Sequence, residues 1–140
     1  MYGGKDMNKT ILIGMVMVLV IGGVLIATGS EGGQQNTTEQ PKVSMQQVRG
    51  DVDGGGTLLD VRTPEEFSAS HIDGATNLSL QSIQAGSLPD VAKDKPVYLY
   101  CRSGSRSAQA AAVLKAAGYS NVIDLGAMSD VQALGGAVKS

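Results

Sequence analysis

The stretch Lys95–Leu125, "KPVYLYCRSGSRSAQAAAVLKAAGYSNVIDL", carries a strand, a loop, a helix and a second strand in one unbroken run. "VYLY", Val97 to Tyr100, is apolar on successive positions, the pattern of a strand buried on both faces. A short loop of small and hydroxyl residues follows. From Ser105 to Ala117 the alanine-rich "SRSAQAAAVLKAA" predicts a helix, and Gly118 supplies its left-handed stop. "NVIDL" then returns the chain to a strand. Buried strands alternating with helices imply an α/β fold built on an open parallel sheet flanked by helices.

The residues upstream repeat that order. "TLLDV", Thr57 to Val61, reads as another strand buried on both faces, and "TPEEF" after it is a helix start. Thr63 caps, Pro64 fits the first helical position, and Glu66 completes a capping box. Glu65 and Glu66 are read as residues that suit the helix dipole rather than as a catalytic carboxylate pair. Gly54-Gly55-Gly56 is punctuation, because no Gly-Lys-Ser/Thr follows to make a phosphate cradle. Val43 to Arg49 predicts a short strand and a helical turn, "SHIDGA" a turn into a strand, and Met128 to Leu134 a closing helix.

Composition narrows the function classes. A chain of 140 residues holds one domain with a real core plus an appendage. A net charge of -2, four Tyr, one Phe and no Trp offer neither a basic field nor stacking platforms, which argues against nucleic-acid binding. One Cys and one His cannot supply the usual four-ligand zinc set, so no metal site is expected, and nothing calls for a cofactor. If Cys101 has a function, it acts as a free thiol.

The appendage reads as a membrane segment. Ile11 to Ala27 has no charge and no amphipathic period, and at about 1.5 Å per residue it reaches roughly 25 Å, the low end of a bilayer span. Thr10, Thr28 and Gly29 extend it. Lys5 and Lys9 precede it and place residues 1–9 in the cytoplasm and the domain outside. A retained anchor is preferred to a cleaved signal, although Ala27 and Gly29 have the spacing of a cleavage site, in which case the domain is secreted or periplasmic. A buried soluble helix is the third reading, weakened by Gly22-Gly23 and the β-branched run. Residues 30–42, "SEGGQQNTTEQPK", bury nothing and read as a flexible linker. Asn36-Thr37-Thr38 fits the glycosylation acceptor pattern.

Ligands of open α/β sheets bind beyond the carboxyl ends of the strands, and Cys101 stands at that end of "VYLY". Three features there favour a thiolate. Ser103, Gly104 and Ser105 are small enough for the backbone N–H groups to curl around the sulfur. The helix starting near Ser105 presents its positive end, and Arg102 and Arg106 bring full charges. A buried structural cysteine is the alternative. His71 is read as structural, within a turn.

At these residues the chain resembles a known family. "LLDVRTPEEFSASHIDGATNLSL" followed by "KPVYLYCRSGSRSAQAAAVLKAAGYSNVIDL" is similar to single-domain rhodaneses of the thiosulfate sulfurtransferase type, from Val43 to the C-terminus. The resemblance implies a rhodanese-like domain over 43–140, with Cys101 as nucleophile taking sulfane sulfur as a persulfide. Arg102, Ser103, Gly104, Ser105 and Arg106 would hold the donor anion, with Asp60 and Arg62 supporting the loop. The implied partners are a small anionic sulfur donor and a thiol or cyanide acceptor. A non-catalytic persulfide carrier or anion sensor is the alternative, and a phosphatase or arsenate reductase a further one. Four residues separate Cys101 from Arg106, whereas cysteine phosphatases have five, and Ser107 stands where their arginine would be. Gly126-Ala127 and Val131 depart from the family pattern, which predicts a loosely packed last helix.

Overall fold

The computed structural model describes residues 43–140. The expected membrane segment at 10–29, the residues before it and the linker at 30–42 lie outside the described residues. Among the described residues no helix is long and apolar enough to cross a membrane.

The elements are α1 (Met45–Asp53), β1 (Thr57–Asp60), α2 (Pro64–Ala69), β2 (His71–Ile72), β3 (Thr76–Asn77), α3 (Leu80–Gln84), β4 (Val97–Cys101), α4 (Ser105–Ala116), β5 (Val122–Ala127), α5 (Met128–Ala133) and β6 (Val138–Lys139). The main sheet runs in the order β3-β1-β4-β5 with every pairing parallel. The two short strands β2 and β6 form a separate antiparallel pair. The expected parallel α/β sheet is therefore present, with β1 and β4 at its centre.

Alternation along the central strands sorts the core into two layers. Leu59, Val61, Val97, Leu99 and Cys101 point to the face covered by α3 and α4, where Ile83, Ala110, Ala111 and Leu114 meet them. Leu58, Tyr98 and Tyr100 point to the opposite face, against Met45 and Val48 of α1 and Val131 of α5. This period-2 switch is what a strand buried on both faces must show. It sets the thiol in the α4 layer and the tyrosines in the other.

Local chemistry fixes the helix ends. Thr63 Oγ1 accepts the N–H of Glu66 at 3.3 Å, and Glu66 Oε2 accepts the N–H of Thr63 at 3.1 Å, closing the expected capping box. α4 ends where Gly118 turns to φ +98°.

Two expectations need correction. Val43 starts no strand: Ser44 caps α1 by accepting the Gln47 N–H at 3.2 Å, and Met45 and Val48 bury as one helical stripe. "SHIDGA" does turn into a strand, β3, with Gly74 at φ +86° in the turn, and it also contains the short strand β2. The last helix does not pack loosely. Val131 is fully buried beside Tyr98 and Tyr100, and the carboxylate of Asp130 accepts the N–H of Ala127 at 2.9 Å to hold the start of α5.

Candidate active site

Cys101 is the last residue of β4, and the chain turns from it through residues 102–104 into α4. The turn is possible because Gly104 adopts φ +92°, a conformation costly for any residue with a side chain. Its N–H then points back and donates to Cys101 Sγ at 2.9 Å. Gly104 also backs closely onto a second glycine: a Cβ built on it would lie 3.6 Å from the Cα of Gly126. There β5 carries an irregularity, since Leu99 pairs with Asp124 but Cys101 pairs with Ala127. Gly126, at φ +85°, is the residue that makes the bulge.

The sulfur is buried, with no residual exposure. The inward-turned amides close the loop over the sulfur instead of leaving it open. Burial pushes the thiol up, but the N–H and hydroxyl of Ser107 and the N–H groups of Ser103 and Gly104 together outweigh it. Cys101 is held below the ordinary thiol range.

Ser107 is the site residue that sequence reasoning passed over. It is fully buried, and its hydroxyl lies 2.9 Å from the Gly104 carbonyl and 3.4 Å from that of Gly126. One hydroxyl proton cannot serve both carbonyls and the sulfur together. The nearer carbonyl takes it when the thiol is neutral, and a thiolate, as the charged acceptor, draws it away. The signal was available: Ser107 is the third residue of α4, where an N–H is still unpaired and points toward the strand end.

The two loop arginines part company. Arg102 is exposed and its side chain makes no hydrogen bond or ion pair among the described residues. Arg106 is half-buried and clamped end-on by Glu66, with Nη1 donating to Oε2 at 2.6 Å and Nη2 to Oε1 at 3.0 Å. Hydrogen bonds from Arg106 first, against some burial, hold the Glu66 carboxyl at about 2. Glu66 is therefore more than a helix-start residue: it meets the charge of Arg106 across the loop.

Asp60 and Arg62 lie beneath this arrangement. Arg62 Nε donates to both Asp60 oxygens, at 2.9 and 3.0 Å, and Nη2 donates to Oδ2 at 2.6 Å. Tyr100 Oη donates to the same Oδ2 at 2.7 Å and accepts the Ile72 N–H at 2.9 Å. A buried ion pair is tolerable when its remaining polar atoms are satisfied, and here no buried side-chain nitrogen or oxygen among the described residues lacks a partner. His71 stacks on Phe67 at 4.0 Å with Nδ1 3.0 Å from the Phe67 carbonyl, a packing arrangement within α2–β2.

A central strand end, a Cys-to-helix loop of inward amides and a carboxylate-paired arginine on the next turn define the frame. The rhodanese-like domain model matches residues 44–133. The chain belongs to the rhodanese-like domain family. Its rhodanese-like domain is 36% identical over 76 residues to the thiosulfate sulfurtransferase PspE of Escherichia coli K12, covering 52% of this chain and 71% of PspE. It is 41% identical over 68 residues to a sulfurtransferase of Allochromatium vinosum, covering 49% of this chain and 63% of that protein. Among solved structures, a rhodanese-like domain of the Alr3790 protein from Anabaena superposes with a TM-score of 0.54 at 27% identity, covering 60% of this chain and 98% of that one.

Proposed function

We propose that the protein is a sulfurtransferase that carries sulfane sulfur as a persulfide on Cys101, with thiosulfate or a similar anion as donor. The observation that carries this reading is the depressed thiol of Cys101 under amide and hydroxyl donors. A thiolate at neutral pH is the nucleophile that sulfur transfer needs.

The thiolate attacks the outer sulfur of thiosulfate. A sulfur–sulfur bond forms at Cys101, the bond to the sulfonate sulfur breaks, and its electron pair leaves with sulfite. The same inward N–H groups of Ser103 and Gly104 then face a persulfide anion, whose charge they favour as they favour the thiolate. Cyanide or a thiolate attacks the terminal sulfur next, and the electron pair of the broken bond returns to Cys101. No redox partner enters the cycle. Asp60, Arg62 and Tyr100 take no chemical part; they fix the strand end on which the loop stands.

A phosphatase reading has less behind it. Ser107, where a cysteine phosphatase would need its arginine, is buried and serves the loop. A persulfide carrier is the second reading, favoured by the complete burial of the sulfur, which limits access of donor and acceptor and so slows turnover. We also place the domain outside the cytoplasm, tethered through residues 10–29, on the strength of the apolar run and the lysines before it.

Thiocyanate formation from thiosulfate and cyanide, measured beside Cys101→Ser, tests the enzyme reading. The wild type is expected to turn over and the variant to fall to background. Equal rates in both proteins would remove Cys101 from the reaction.

A further inference from the structure

Glu66 and Arg106 stand 40 positions apart in the chain and meet end-on at 2.6 and 3.0 Å, joining the first turn of α2 to the first turn of α4. α4 opens directly from the loop over the sulfur, and the charge on Cys101 is felt at the Arg106 guanidinium. The arginine is thus part of the field at the reacting atom, yet its charge is already met. Side-chain exposures of 32% and 28% leave the pair within reach of solvent. Such pairs amount to no more than about a 5-fold shift in an equilibrium, so a competing anion can open this one. Arg106 also borders a cleft of about 340 Å³ with Thr63, Pro64, Ser79, Leu80 and Gln84, so one side of the pair faces open space.

We propose that Glu66 is the resident counter-ion of the sulfur cradle: it occupies the Arg106 fork in the empty protein, and an anionic donor takes that fork only by displacing it. This rests on the sulfur-transfer reading and makes Glu66 a positioning residue that sets how strongly the cradle takes an anion, not a catalytic one. Every anion loses the same pair on entry. A doubly charged donor recovers more from Arg106 than Glu66 supplied, whereas a singly charged one recovers about as much as it displaced.

Glu66→Gln is the clean variant, because Gln serves a capping box as well as Glu and only the charge disappears. Alkylation of the single cysteine in the full-length protein is followed with iodoacetate, an anion, and iodoacetamide, its neutral counterpart. In both, the thiolate attacks the methylene carbon, a carbon–sulfur bond forms and iodide leaves. The ratio of the two rates cancels thiolate fraction and access, leaving the pull on an anion. Glu66→Gln is expected to raise that ratio by about 2- to 5-fold and to lower KM for thiosulfate by a similar factor, with kcat changing less. An unchanged ratio overturns the inference. So does a raised KM, which would make Glu66 a buttress that orients Arg106. A raised ratio in a protein that transfers no sulfur with or without the substitution supports the counter-ion and removes the sulfurtransferase reading instead.

Discussion

Against burial, Ser107 and Gly104 help to hold the Cys101 thiol below its ordinary range, one by its N–H and hydroxyl and the other by its backbone N–H. Removing the hydroxyl in Ser107→Ala takes away a group that favours the charged sulfur, so the Cys101 thiol moves up toward its ordinary range. Alkylation by iodoacetamide at neutral pH is expected to slow by about tenfold, with its pH midpoint displaced upward. Gly104→Ala meets no crowding closer than 3.6 Å, so its cost is the left-handed backbone alone, about 1–2 kcal/mol in urea unfolding. The Glu66 carboxyl sits at about 2 when folded against an ordinary 4.5. A depressed carboxyl stabilises fully above the unfolded value, so this contribution is complete above pH 4.5 and is lost as pH falls toward 2. Solvent limits it to about 1 kcal/mol or less, and Glu66→Gln is expected to flatten the acid limb of the stability curve by that amount.

The elements differ in how local their causes are. α4 depends on Leu114, which is fully buried against the sheet face that also holds Cys101. Leu114→Ala is expected to cost about 2–5 kcal/mol of unfolding free energy in urea, and loss of α4 order would loosen the loop it anchors. β1, α2, β4 and α4 were legible in the sequence because each is specified by its own residues: apolar runs, a capping box, an alanine-rich stretch with a glycine stop. β2 and β6 were not legible, since two-residue strands exist only because tertiary packing brings His71–Ile72 beside Val138–Lys139. α1 was misread over its first residues because Val43 suits a strand, while the cap on Ser44 and the buried stripe of Met45 and Val48 decide for a helix. The bulge in β5 left no mark beyond Gly126, whose φ of +85° and close approach to the Asp130 carboxylate, 2.8 Å from where a Cβ would stand, are set by the folded chain.

At the scale of the whole domain, one buried network ties the strands that frame the loop. Tyr100 Oη links Asp60 of β1 to the Ile72 N–H of β2 from within β4. Tyr100→Phe leaves that buried N–H without an acceptor and is expected to cost about 1–3 kcal/mol in thermal or urea unfolding. The candidate site was legible in part for the same geometric reason. Residues 101–106 are consecutive, so their composition announced an anion cradle, whereas the Glu66 partner of Arg106 arrives from a helix 40 residues away. The burial of the sulfur follows from how residues 102–104 fold back, which composition does not dictate. The central claim is that this closed cradle holds a thiolate that accepts sulfane sulfur. Intact mass of the full-length protein after thiosulfate treatment tests it most directly: a gain of one sulfur atom, mapped to Cys101 and absent from Cys101→Ser, is the expected result. An unchanged mass with the thiol still alkylatable contradicts it.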